Sequence, residues 1–182
     1  MLAVFLIVLR ERDREIVVPN QAGDAPRLTI ATALDAPCGY EVVDGDGHAA
    51  GTVVTVTGQN ESTAEVVVTG IRAELRSSSA ATVRAVPNRR AGCPGDPISP
   101  RDFVVDLDEP MPRLAAAPPR TRRGSDAAPT TFPYRVVRGE PEVFSIELST
   151  GDCDCRVALV VEWVANGERR STTAGDFRVV PR

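Results

Sequence analysis

Two adjoining stretches alternate apolar and polar residues with a strict period of two. EVFSIEL (142–148) carries Phe144, Ile146 and Leu148 on one side; RVALVVEWV (156–164) carries Val157, Leu159, Val161 and Trp163 on one side, with Arg156 and Glu162 opposite. A helix repeats every 3.6 residues and would scatter these side chains around its axis, whereas a strand gathers them onto one face. The pattern therefore demands sheets with one buried face. Ala165-Asn166-Gly167-Glu168 follows directly. Asn-Gly supplies the two positive φ angles of a type I′ turn, so a hairpin is predicted there. RRSTT and DFRVVP then read as two short closing strands.

The same period recurs upstream. LTIATAL (28–34) places Leu28, Ile30, Thr32 and Leu34 together, GTVVTVTG (51–58) is a β-branched run, and DFVVDLD (102–108) aligns Phe103, Val105 and Leu107. In EVVVTGIRAELR (65–76), Val66 and Val68 share a face, and Ile71, Ala73 and Leu75 carry it onward. The phase slips at Gly70, as it does where a bulge inserts one extra residue. Further strands are expected at 40–43, 82–86 and 134–138. Roughly nine strands at hairpin spacing around one tryptophan describe an all-β chain, an antiparallel β-sandwich of immunoglobulin-like or fibronectin-like type. Residues 110–131, PMPRLAAAPPRTRRGSDAAPTT, hold five prolines and little pattern. About 50 residues follow, too few for a comfortable second sandwich. The expectation is one domain over 27–182 with a long disordered Pro/Arg-rich loop at 110–131.

Composition excludes several chemistries. All 21 basic residues are arginine, so no P-loop lysine, Schiff-base lysine or Ser-Lys dyad exists. His48 is the single histidine, which rules out a His₂ or His₃ metal site within one chain. The net charge of −4 gives no sign of a nucleic-acid binder.

The N-terminus, MLAVFLIVL followed by RERDRE (10–15), pairs nine apolar residues with a charge cluster. Nine helical residues rise about 14 Å, half of a bilayer core of about 30 Å. It has no basic region ahead and no small-residue cleavage site behind. Residues 1–15 are read as the lower part of a transmembrane anchor with its charged flank, and 16–26 as a short stalk. A core strand and an atypical signal sequence are the alternatives.

Four cysteines in a Val- and Thr-rich β chain point to disulfides in an oxidising compartment. Cys153 and Cys155 stand in STGDCD (149–154) and its following residue, a segment read as a turn. A bridge between them is the structural reading; a strained, exposed pair serving redox chemistry is the competing one. Asp152 and Asp154 flank the pair and disfavour a thiolate, which only Arg156 offsets. A metal there would need further ligands from His48, Cys38, Cys93 or carboxylates. Cys38 and Cys93 sit in Gly/Pro-rich connections and are expected to bridge each other, although cross-pairing with Cys153 and Cys155 is open. DGDGHAAG (44–51) begins like a calcium loop but has His48, Ala49 and Thr55 where that loop needs a ligand, a glycine and a glutamate. It reads as a hairpin turn. Cys38 and His48 lack an orienting third group for nucleophilic catalysis. Asn60-Glu61-Ser62 matches a glycosylation sequon and reads as a turn. Arg113, Arg120, Arg122 and Arg123 in the long loop are candidates for contact with an anionic surface, or form a solvated tether beside the acidic DLDE block (106–109).

VVVTGIRAEL, FVVDLDEPMPR, FPYRVVRGEPEVFSIELSTGDCDC and LVVEWVANGERRSTT together resemble a group of uncharacterised actinobacterial membrane-anchored proteins. The resemblance implies a single transmembrane segment and an extracytoplasmic β-rich domain, and it brings no functional residues. The functional expectation is a non-enzymatic binding or sensory module tethered outside the cell membrane, with no cofactor and with a protein or cell-envelope ligand. A thiol-redox or metal-handling protein built on Cys153 and Cys155, and a purely structural spacer, are the alternatives.

Overall fold

The computed structural model describes residues 25–35, 40–42, 47–87, 101–117 and 131–182. Twelve strands run in chain order: β1 (Leu28–Asp35), β2 (Tyr40–Glu41), β3 (His48–Ala49), β4 (Thr52–Asn60), β5 (Val66–Ala80), β6 (Val86–Pro87), β7 (Arg101–Asp106), β8 (Leu114–Ala116), β9 (Tyr134–Val136), β10 (Pro141–Ser149), β11 (Cys153–Ala165) and β12 (Glu168–Val180). They form two five-stranded sheets, ordered β1-β4-β10-β7-β8 and β3-β12-β11-β5-β9, with β2 and β6 as a small extra pair. The two large sheets pack face to face, so the chain is an all-β sandwich.

The alternating residues do what their period requires. Phe103, Val105, Leu107, Phe144, Ile146, Leu148, Val157, Leu159, Val161 and Trp163 all face one shared core. Trp163 satisfies its indole by donating Nε1–H to Thr172 Oγ1 at 3.1 Å, and Arg170 lies over its ring. Phe103, Phe132, Tyr134 and Phe144 form a joined set of rings with centroids 5.2 to 6.5 Å apart, spanning both sheets. The predicted hairpin closes on Asn166 and Gly167, at φ 52° and 78°. The slip near Gly70 is a bulge: Glu162 faces Gly70 and Trp163 faces Val68, leaving Thr69 as the extra residue.

Several expectations are corrected. The sheets are mixed, not purely antiparallel, because β7 runs parallel to β10 and β3 parallel to β12. The two closing strands are one strand, β12, which absorbs Ala174 as a bulge against Leu159 and Val160. Within the expected 82–86 strand only Val86 pairs, in β6. The Pro/Arg-rich loop contains an ordered strand, β8, where Leu114, Ala115 and Ala116 add to β7; residues 118–130 lie outside the described residues. Thr32 and Leu34 share a face with Leu28 but are exposed, so burial on this face of β1 is confined to its Leu28 end.

The chain crosses between sheets at Ala50-Gly51. Ala50 N–H donates to Val180 in one sheet at 2.7 Å and Gly51 N–H to Leu148 in the other at 2.6 Å. Gly51 has φ +85°, a backbone conformation that strains any L side chain, and this favours glycine at the corner. The far end of β4 is fastened by Asn60, buried to 2% exposure. Its Nδ2 donates to Ala64 O at 2.9 Å and to Val136 O at 3.4 Å, and its Oδ1 accepts from Ser62 N–H and Ser62 Oγ–H, both at 2.9 Å. The sequon is thus the signature of an Asx turn that ties β4 to β9. Its amide nitrogen is occupied and enclosed.

Candidate functional site

Cys153 and Cys155 begin β11 and do not sit in a turn. The turn is confined to Thr150, Gly151 and Asp152. The two cysteines pair with Ala80 and Ser78 of β5, and both side chains point into the core. Their Cα atoms are 5.3 Å apart with the sulfurs in bonding contact. A fully extended strand would separate residues i and i+2 by about 6.6 Å, so the chain draws in slightly at this point. Exposure is 6% for Cys153 and nil for Cys155. Leu107 O approaches the two sulfurs at 3.9 and 3.8 Å, and Ser78 Oγ stands 3.5 Å from Cys155 Sγ.

A polar brace holds this strand end. Thr150 Oγ–H donates to Asp108 Oδ1 at 2.8 Å while its oxygen accepts Cys153 N–H at 3.0 Å. Gly151 N–H donates to Asp108 Oδ2 at 2.6 Å, and Ser149 Oγ–H to Val105 O at 3.1 Å. Partial burial pushes the Asp108 carboxyl upward, but the Gly151, Thr150, Asp152 and Cys153 donors outweigh it and hold the group below its ordinary value. No local motif joins residues 108 and 150. Within DLDE, Asp108 is thus committed to the β10–β11 turn.

Asp154 points to the opposite face. Its carboxylate takes two bonds from Arg178, Nε at 2.9 Å and Nη2 at 2.7 Å. Arg156 and Arg178 face each other directly across β11 and β12. Like charges so placed repel, and Asp154 relieves them. The Arg178 hydrogen bonds, opposed by desolvation and assisted by the charges of Arg178 and Arg156, hold Asp154 below its ordinary value. A carboxylate depressed by folding stabilises the fold above its unfolded pKa and loses that contribution as the pH falls toward its folded pKa. Asp108 and Asp154 both have this sign. Stability is expected to decline as pH drops below 3.8, the ordinary value of an aspartate carboxyl, and Asp154→Asn to flatten the decline while costing about 1–2 kcal/mol at pH 7. Denaturant midpoints across pH 2–7 test this; an unchanged pH profile in the variant counts against it.

Cys38, Cys93, Arg120, Arg122 and Arg123 lie outside the described residues, as do residues 1–24. Arg113 is exposed next to β8. His48 is half-buried in β3, opposite Val179. Among the described residues no three His, Cys, Asp or Glu side chains converge as a metal would need, and no helix is long and apolar enough to cross a membrane. With its sulfurs enclosed and Asp108 and Asp154 engaged by hydrogen-bond donors, the Cys153–Cys155 region is arranged to fasten a strand end. No protein family, curated protein or solved structure is found to match the chain.

Proposed function

We propose that this chain is a non-enzymatic binding module working in an oxidising, extracytoplasmic compartment, tethered to a membrane through its apolar N-terminal run. The observation that carries this reading is the burial of Cys153 and Cys155 side by side in the sandwich core. Sulfurs in that position suit a permanent disulfide, and permanent disulfides belong to oxidising compartments. The alternative redox role requires an accessible sulfur and a stabilised thiolate; the buried side chains and the facing Leu107 carbonyl oppose both. MLAVFLIVL followed by charges supports the tether, and the resemblance to actinobacterial membrane-anchored proteins agrees with it. Sandwiches of this kind bind partners through end loops and open sheet edges, and the ligand class is a protein or an envelope component.

The test is intact mass under non-reducing conditions, with thiol alkylation and metal analysis, on protein exported by its host cell. The expected result is no alkylated thiol at Cys153 or Cys155 and no bound metal. A pair that alkylates without denaturant, or stoichiometric metal, would replace this reading with the thiol or metal one. Removing the bond in Cys153→Ser/Cys155→Ser is expected to cost about 1.5 kcal/mol, the small value set by so short a loop.

A further inference from the structure

Sheet edges are places where another strand can add, and folds usually blunt them by shortness, charge, proline or a bulge. Three of the four edges of the large sheets are blunted by length: β3 has 2 residues, and β8 and β9 have 3 each. The fourth, β1, has 8 residues, LTIATALD, with no proline, glycine, lysine or arginine. It pairs with β4 at all eight positions without a register shift, and β4 is its single strand neighbour among the described residues. Ile30, Thr32 and Leu34 face the same way as the buried Val56 and Val54 of β4, yet Leu34 is 41% exposed. A long, regular, nearly uncharged strand therefore stands at the side of the sandwich, its Leu28 end buried and its Leu34 end uncovered.

We propose that β1 pairs with β1 of a second copy of this chain, antiparallel about a two-fold axis at Ala31. The strand is self-complementary about that residue. The pairing sets Leu28 opposite the second copy's Leu34, Thr29 opposite its Ala33, Ile30 opposite its Thr32 and Ala31 opposite itself. One step further, Arg27 meets the second copy's Asp35, and the two-fold repeats this attraction at the other end. Opposite charges directly across an antiparallel pair attract, and the same register makes every contact twice. Among the described residues Arg27 makes a surface ion pair with Glu61 at 3.4 Å, its side chain 74% exposed. Each exposed Leu34 gains a Leu28 neighbour, and the two β1-β4-β10-β7-β8 sheets become one continuous ten-stranded sheet. The inference stands on β1 alone and holds whether or not the chain is a membrane-held binding module.

The test is sedimentation equilibrium on the full chain over about 1 to 200 μM, a span suited to a weak edge pairing. The unmodified protein is expected to approach twice its 19.4 kDa mass. Asp35→Arg sets arginine against arginine at both ends and is expected to weaken association at least about tenfold. Arg27→Asp is expected to do the same, and the double exchange Arg27→Asp/Asp35→Arg to restore it. Circular dichroism checks that each variant keeps its sheets. A monomer throughout the range, a dimer indifferent to Asp35→Arg, or a double exchange that fails to recover would each overturn the proposal.

Discussion

Phe144→Ala is expected to cost about 3–5 kcal/mol, enough to unfold much of the population of a domain of ordinary stability. Phe144 is 1% exposed and stands in central strand β10. Its ring contacts Phe103 from β7, Phe132, and Tyr134 from β9 in the opposite sheet. Truncation removes a ring that touches all three, and the close-packed surroundings cannot collapse into the space without moving a sheet. Phe144→Leu keeps most of the volume and is expected to cost about 1–2 kcal/mol. Urea denaturation of both variants checks the ordering. Equal losses would mean that these rings do not pack as a unit.

Asn60→Ala ranks second, at about 3 kcal/mol. The amide carries two donated and two accepted bonds in an enclosed site, so its removal leaves the Val136 carbonyl and the Ser62 groups without their partner. Ser62→Ala removes the hydroxyl bond alone while the backbone bond to Oδ1 persists, and about 1 kcal/mol is expected. Amide exchange gives an independent check, because the loss at Asn60 should raise opening rates in β9 more than in β12. Uniform changes in both strands would argue that Asn60 merely contributes to global stability.

The faces of the strands were legible because a period of two is a local property. Phe144 and Leu148, or Val157 and Trp163, need only their neighbours in sequence to declare a shared side. The Asn166-Gly167 turn and the slip beside Gly70 were legible for the same reason: each is written within a few residues. Features set by distant partners were hidden. The parallel pairing of β7 with β10 joins segments far apart in sequence, and no short segment encodes it. Gly151 and Asp152 made the whole of 149–154 look like a turn, but Asp108 and Thr150 hold the turn to three residues and let Cys153 enter β11. Ala174-Gly175 looked like a break, and a bulge absorbs it. Leu34 shows the complementary limit. Alternation tells which way a side chain points, but not whether anything lies over it.

The arrangement of β10 and β11 has a consequence for how the chain is made. Each is the central strand of its sheet: β10 lies between β4 and β7, and β11 between β5 and β12. Synthesis delivers them after nine other strands. Until residues 141–165 leave the ribosome, β1 with β4 and β7 with β8 are separate pairs with no strand between them, and β5 has β9 alone. Two-stranded ribbons are marginal in water, so the nascent protein has nothing durable to fold around. The domain therefore stays open until its two central strands emerge, because neither large sheet is continuous without them.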